Sequence, residues 1–597
     1  MCGIAGIFNN ESGEHTPAEQ QLISMLAAIR HRGPDESGIY LNQKIGLGHV
    51  RLSIIDIFSG QQPMAANDGQ YRIVYNGELF NFPEIRHKLE KLGIQFTTQS
   101  DTEVVLKAYI QWGPSCLQQF NGQFSIAIWD NKKSELFLAR DRLGIRPLFY
   151  TQTSSNFIFC SEIKGIFQLP YVDRKINHKA LAQIFTFWTT ITPYTPFEQI
   201  FELPPGHFMT INNKGTSQHR YWNLPFTQKK SDSSIPFETA SEELLRLLKD
   251  SVKIRLRADV EVAAYLSGGL DSSITTALIH ELSPAMLHTF SIGFKEAEFD
   301  ETNYQQEVAS FFNTQHTLNT CTSAEIGENF PHTIRHAEFP ILRTGPTPLY
   351  LLSKSVRQHN IKVVITGEGA DEILAGYNIF KEDKIRRFWA RNPQSDIRPL
   401  LLGRLYHYLP ALKEARPAFL KMFFGFRLNE TDNPYYSHLI RWHNTSRIQH
   451  YFASHIVNQL EKYEPVDEIA QNMAENFTHL SDLGKSQYLE SSIFMSGYLL
   501  SSQGDRMSMA NSVEGRYPFL DHRLIEYAAT LPDNYKLNCL TEKFILKKMM
   551  KQKIPDSVLN RRKQAYRAPV SPCFTSRPTP EYISVMLNST SINNFGY

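Results

Sequence analysis

The sequence has no Cys-x-x-Cys pair: its six cysteines, Cys2, Cys116, Cys160, Cys321, Cys539 and Cys573, are scattered. That gives no zinc or dithiol signal and suits a reducing cytoplasm. No apolar run approaches membrane-spanning length, and no basic region followed by an apolar stretch opens the chain. Neither a spanning segment nor a secretory leader is therefore expected. Charge of one sign is missing too. The 62 basic and 60 acidic residues leave a net charge of +2, which argues against a general nucleic-acid or membrane-surface binder. Core material, by contrast, is plentiful: 42% hydrophobic residues, with 39 Phe and 26 Tyr, in 597 residues. That is too much chain for one ordinary core, and two or three globular domains are expected.

The most informative stretch is Ser267-Gly268-Gly269-Leu270-Asp271-Ser272-Ser273. Residues 260–266 before it are apolar enough for a buried strand, and 274–282 after it are apolar at helical spacing. Strand, small-residue turn and helix start together make an anion site, with free amides, hydroxyls and a closely approaching backbone. A Walker loop is excluded, because no Gly-Lys-Ser/Thr follows at the right spacing. Asp271 would repel phosphate unless a divalent cation lay between them, so the loop suits Mg²⁺-bound pyrophosphate. A plain strand-to-helix turn is the competing reading. A second β-branched strand, 362–366, runs into Gly367-Glu368-Gly369-Ala370-Asp371-Glu372. Three carboxylates in five residues repel one another, a strain that a metal and an amine substrate would relieve; a solvated acidic loop is the plainer alternative.

The N-terminal third carries a different chemistry. Removal of Met1 would leave Cys2 a free α-amine, making a thiol with its own base. The apolar Ile4, Ile7 and Phe8 would hold that end in a buried strand. A cysteine attacking a side-chain amide needs an oxyanion hole, which Asn76 and the Gly77 N–H could supply. It needs a fork for an α-carboxylate, which Arg51, read as leading a short strand 51–56, would fit. It also needs carboxylates for an α-ammonium, for which Glu78 and Asp101 are candidates. Each residue has a plain alternative: an Asn-Gly hairpin turn, a helix N-cap at Asp101, a surface arginine.

Cys2-Gly3-Ile4, Arg30-His31-Arg32-Gly33-Pro34-Asp35, Arg51-Leu52-Ser53-Ile54, Tyr75-Asn76-Gly77-Glu78 and Ser100-Asp101-Thr102-Glu103 occur in this order. Together they resemble the N-terminal-nucleophile glutaminase domain of class II glutamine amidotransferases. The segments 123–130 and 139–150 continue the match and are expected as paired strands. With the Ser-Gly-Gly-Leu-Asp-Ser loop downstream, the chain resembles the glutamine-hydrolysing asparagine synthetase family. The resemblance implies an αββα sandwich, followed by an α/β parallel-sheet domain of the ATP-pyrophosphatase kind with a helical insertion. The expected boundaries are 1–225 for the glutaminase, 226–236 for a polar linker, 237–597 for the amidating domain and about 380–490 for the insertion.

The resemblance also implies roles. Cys2 is the nucleophile, Asn76 and Gly77 form the oxyanion hole, and Arg51, Leu52, Ser53, Ile54, Ile55, Glu78 and Asp101 hold glutamine. Leu266, Ser267, Gly268, Gly269, Leu270, Asp271, Ser272, Ile292, Thr366 and Gly367 contact ATP. Asp271 and Asp371 hold Mg²⁺, Glu368 takes a proton from incoming ammonia, and Lys543 steadies charge during adenylation. Residues 505–510 and 513–521 line the junction that ammonia crosses, with Gly515 where alanine is common. The implied partners are small molecules (glutamine, ATP and a carboxylic acid), and a homodimer is a family-level expectation. L-aspartate is the first acceptor, with Arg343 on its α-carboxylate. Phe339-Pro340-Ile341 and the 563–569 segment depart from the pattern of aspartate users, so another biosynthetic acid is the alternative. A nucleotide-binding scaffold without turnover is the third reading.

Overall fold

A computed structural model describes residues 2–10, 17–228, 235–283, 285–473, 475–576 and 579–595. Met1, whose removal the sequence suggests, lies outside the described residues. The N-terminal part is built from two six-stranded sheets. One runs in the spatial order Phe201–Glu202, Phe149–Gln152, Asn156–Cys160, Cys2–Asn9, Ile45–Arg51 and Glu36–Leu41; the other runs Gly215–Arg220, His207–Asn212, Glu135–Arg140, Gly122–Asp130, Tyr71–Leu79 and Met64–Ala66. All their pairings are antiparallel. The strand alternation of side chains explains the layers. Ile4 and Phe8 of the first strand pack with Val74, Ala127, Trp129 and Leu138 between the sheets. Ala5 and Ile7, on its other face, pack with Leu22, Met25 and Leu26 of the Glu19–Ala28 helix. Beyond the second sheet lies the helix Asp101–Trp112, whose Val104, Val105 and Ala108 cover Ile73, Tyr75 and Ile128. This is the expected αββα sandwich.

Several local readings change. Arg51 ends the Ile45–Arg51 strand rather than opening one, and 52–56 is loop. Asn76-Gly77 lies inside the Tyr71–Leu79 strand, opposite Ser125 and Phe124, not at a hairpin turn. Of 139–150, only Ala139-Arg140 pairs with the Gly122–Asp130 strand; 141–148 is loop, and Phe149 joins the other sheet. The expected linker is not free chain at its start. Phe226 and Thr227 are buried, and Gln228 bridges to Leu480; residues 229–234 lie outside the described residues.

The C-terminal part holds a five-stranded parallel sheet in the order Gln315–Cys321, His288–Phe294, Val262–Tyr265, Val363–Ile365 and Glu514–Arg516. Val363, Val364 and Ile365 are fully buried, as parallel strands covered on both faces require. From Val262–Tyr265 the chain builds outward first to one side and later to the other. The carboxyl ends of Val262–Tyr265 and Val363–Ile365 therefore flank a topological switch point, where such sheets bind ligands. Between Asn378 and Leu489 the chain is largely short helices.

The two parts meet across buried charge. Asp505 accepts from Arg32 at 2.9 and 3.2 Å and from Arg146 at 3.1 Å, with all three side chains withdrawn from water. Glu162 meets Arg32 at 2.8 Å and Arg506 at 3.2 Å. Removing one member of such a set leaves uncompensated buried charge. Asp505→Ala is therefore expected to cost about 3–5 kcal/mol, read as a lower denaturant midpoint; an unchanged midpoint would show that the pairing carries no stability.

Candidate active sites

In the sandwich, Cys2 ends up beside Arg51 because the two are register partners on adjacent strands. Burial pushes the Cys2 thiol up; the Leu52 backbone and the Arg51 charge pull it back, without reversing the shift. The Cys2 N–H donates to Asn76 Oδ1 at 3.2 Å, which fixes the Asn76 amide and leaves its buried Nδ2 without a partner among the described residues. A spare, oriented N–H₂ beside a thiol is what an oxyanion hole requires. Glu78 and Asp101 lie close by in a cluster with Glu514 and Arg516. Burial, then Glu514 and Asp101, hold the Glu78 carboxyl well above its usual range, and burial raises Asp101 to about 6. One Glu78 oxygen is buried with no partner among the described residues. The cluster is short of positive charge, and an ammonium would supply it.

Arg51 is engaged otherwise in this conformation. Its guanidinium donates to Glu36 at 3.0 Å and to the carbonyls of Ile55, Asp56 and Ile57 at 3.3, 2.6 and 3.1 Å, so the fork holds the 55–57 loop. Leu52 and Ile54 pack on Val363 and Met509 of the second part. Ser53 N–H donates to Asp35 at 2.8 Å, and Lys362 reaches both Asp35 and the Ser53 carbonyl. The side chains of Leu52 and Ile54, expected around glutamine, are thus spent on the junction.

In the second part, one cavity of about 850 Å³, within the range of ligand pockets, gathers nearly all the residues that the sequence singled out. Leu266, Ser267, Gly269, Leu270, Asp271, Ser272, Ile292, Arg343, Thr366, Gly367, Glu368, Asp371 and Lys543 line it; Gly268 shapes the loop from behind. Ser267 Oγ lies 3.0 Å from Ser272 Oγ and accepts from the Gly269 N–H at 3.3 Å, and Gly269 opens the Leu270–Leu282 helix. Asp271 and Asp371, from the two switch-point loops, share Lys543 at 2.5 and 2.6 Å, and Lys563 sits 2.6 Å from Asp371. Burial raises Asp271; it opposes ionisation of Asp371 as well, but Lys543 and Lys563 hold that group below its usual value. Burial lifts Glu368 to about 7.

Among the described residues no cluster of three His, Cys, Asp or Glu side chains could hold a metal. The buried Asp271 Oδ1 is nevertheless unpartnered. Two carboxylates beside a phosphate loop fit a Mg²⁺ that takes its remaining ligands from water and phosphate oxygens. Lys563 and Trp188 were not foreseen. Lys563 opens the 563–569 segment singled out as a departure and ends the basic run Arg561-Arg562-Lys563, though neither signal gave it a role on the carboxylates; Trp188 has no such signal, being brought from the sandwich by folding.

A second cavity of about 30 Å³ shares Thr366, Glu368, Leu499 and Gln503 with the large one, and its wall includes Gly515 and Tyr517. The Gly515 carbonyl accepts from Gln123 of the sandwich at 2.8 Å. A Cβ on Gly515 would stand 2.7 Å from the Tyr517 hydroxyl, so glycine leaves that hydroxyl clear.

Both parts of the chain match known families. Residues 1–222 match the glutamine amidotransferase domain model, and 243–597 match the asparagine synthase model. The chain belongs to the asparagine synthase family. It is 32% identical over 583 residues to asparagine synthetase [glutamine-hydrolyzing] 1 of Bacillus subtilis, covering 96% of this chain and 87% of that protein. It is also 30% identical over 651 residues to amidase chyE of Penicillium rubens, covering 100% of this chain and 93% of that one. The solved B. subtilis glutamine phosphoribosylpyrophosphate amidotransferase aligns with a TM-score of 0.30 at 16% identity, over 61% of this chain and 81% of that one. This asparagine synthase family member is a glutamine-dependent carbon–nitrogen ligase that uses ATP, and no described helix is long and apolar enough to cross a membrane.

Gly268 has φ +70°, and a Cβ there would lie 2.8 Å from the Gln305 nitrogen and from Tyr304. Gly268→Ala is expected to weaken ATP binding at least tenfold by calorimetry. Gly93→Ala, also at positive φ but facing open space, should leave it unchanged. Equal effects would show that backbone strain alone is at work.

Proposed function

We propose that the chain hydrolyses glutamine at Cys2 and passes the ammonia inward to an acyl-adenylate formed from ATP and a carboxylic acid. The observation that carries this reading is a pair of cavities with Glu368 in both walls, the smaller lined by Gly515 at the sandwich junction and the larger by the Ser-Gly-Gly loop. With Met1 removed, the α-amine of Cys2 takes the thiol proton, and the thiolate adds to the glutamine amide carbon. Asn76 Nδ2 and the Gly77 N–H receive the oxyanion, while Glu78 and Asp101 hold the α-ammonium. Arg51 takes the α-carboxylate once the 55–57 loop releases it. The Cys2 α-ammonium returns its proton to the leaving nitrogen, the carbon–nitrogen bond breaks to release ammonia, and water cleaves the thioester to glutamate and the free thiol.

In the second site the acid's carboxylate oxygen bonds to the α-phosphorus as the α–β linkage breaks and pyrophosphate leaves. Ammonia adds to the acyl carbon, Glu368 takes a proton, and AMP departs with the carbon–oxygen electron pair. Lys543 and Lys563 turn from Asp371 to the phosphates, and Asp271 and Asp371 would hold Mg²⁺, which supplies charge neutralisation on the phosphates. The names of the curated relatives point to L-aspartate as the acid and L-asparagine as the product; the departures around 339–341 and 563–569 favour another acid.

Cys2→Ala should lose glutamine-dependent pyrophosphate release while keeping ammonia-dependent release. Loss of both, or of neither, refutes the division of labour. With unprotonated ammonia held constant, ammonia-dependent amidation should rise as pH passes about 7, because Glu368 must be a carboxylate to accept the proton. Glu368→Gln should be at least a hundredfold slower and flat across that window; a wild-type profile that is also flat removes Glu368 as the base.

A further inference from the structure

One wall of the large cavity is unlike a pocket for a small amino acid. Trp188, the left-handed C-cap of the His178–Phe187 helix in the sandwich, reaches across to it. Its indole lies beneath the Arg343 guanidinium at 3.8 Å and edge-on to Phe494 at 5.5 Å. Phe494 stacks on Tyr498 at 5.3 Å, and Tyr408 and Tyr566 line the same cavity. The ring edges leave two polar groups unspent. Tyr498 Oη is buried with no hydrogen-bond partner among the described residues, and no described carboxylate pairs with Arg343. Unpaired donors in a cavity are positions where a ligand acceptor gains a bond and a missing one costs.

Aspartate needs the opposite provision at its α-ammonium, a carboxylate with charge to spare. Of the carboxylates that line the cavity, Asp271 and Asp371 are taken by Lys543 and Lys563, Glu301 by Arg561 and Glu542 by Lys381. Glu368, with no ion pair among the described residues, is the group given to the ammonia proton above. The two on the Trp188 side are occupied as well. Glu490 takes Arg441 at 2.8 and 2.9 Å and His438 at 2.9 Å. Glu382 accepts from the Tyr406 hydroxyl at 2.6 Å and faces Arg386. Aspartate also carries no apolar body to cover five aromatic side chains, each of which contributes by being shielded from water.

We infer that the acid amidated here is not a free α-amino acid but one with no exposed ammonium, an aromatic or comparably broad apolar body, and a second anionic group for Arg343. This rests on the amidation reading above and narrows its substrate class. Trp188 is then a specificity residue lent by the glutaminase part, so the acceptor pocket is complete only when the two parts are docked.

The test is calorimetric binding of two probes, DL-phenylsuccinate and L-aspartate, to the full chain with Mg²⁺ and a non-hydrolysable ATP analogue. Phenylsuccinate is expected to bind at least tenfold more tightly than aspartate. Trp188→Ala and Arg343→Met should each erase that preference, while Trp188→Phe, which keeps an aromatic face, should retain most of it. Aspartate binding as tightly or better, undetectable phenylsuccinate binding, or a preference untouched by both substitutions overturns the inference. The amidation reading fails on a different signal in the same cell: absence of heat for the ATP analogue itself.

Discussion

Asp505 carries two guanidiniums on one carboxylate, and the rest of the molecule depends on that arrangement. Arg32 and Arg146 come from the sandwich and Asp505 from the second part, and none of the three reaches solvent. Buried charge of this kind tolerates little displacement, since a small shift strands an ion in a poorly polarisable interior. Arg32 does more than dock. Its Nε donates to the Cys2 carbonyl at 3.1 Å, so the group that ties the two parts together also positions the backbone of Cys2, the proposed nucleophile. The proposed transfer of ammonia between the two sites would need such fixed alignment, because a gap between the parts would let it meet water and protonate.

The second site faces a charge problem of the opposite sign. Asp271, Glu368, Asp371 and Glu372 crowd the ends of two neighbouring strands, and burial alone would protonate them. Lys543 and Lys563 keep Asp371 ionised, whereas Glu368 and Glu372, without a lysine of their own, rise to about 7 and 8. The same two lysines suit an incoming polyphosphate. Asp271 and Asp371 would hold a divalent ion brought with the nucleotide, whose charge would leave the lysines for the phosphates. In the proposed reaction charge balance would then be kept by exchange of partners, with Glu368 as the group whose proton affinity suits proton acceptance.

The sequence announces whatever is encoded locally. The Ser-Gly-Gly-Leu-Asp-Ser turn and the Glu368–Glu372 run show their chemistry within a few residues, and the Cys2 strand is readable from Ile4, Ile7 and Phe8. What it conceals is pairing at long separation. Arg32 and Asp505 are 473 residues apart, and nothing near either residue signals the other. The resemblance implies that Leu52 and Ile54 lie around glutamine; what it does not show is that their side chains pack on Val363 and Met509. Arg51 itself shows that a residue's position along a motif says little about its momentary partners, here the carbonyls of 55–57.

One element unites these observations. A π-helix, Glu490–Asp505, runs from the acceptor wall to the docking carboxylate. Glu490, Phe494 and Tyr498 stand on the large cavity, Gln503 touches both cavities, and Asp505 holds Arg32. Such helices usually occur as single-turn bulges at functional sites, because their wider turn is poorly packed along the axis. Sixteen residues in this form persist where both ends are fixed by stronger interactions: Glu490 by Arg441 and His438, and Asp505 by Arg32 and Arg146. The helix therefore links the Phe494 and Tyr498 rings of the cavity wall to the carboxylate that holds Arg32, whose guanidinium in turn holds the Cys2 carbonyl.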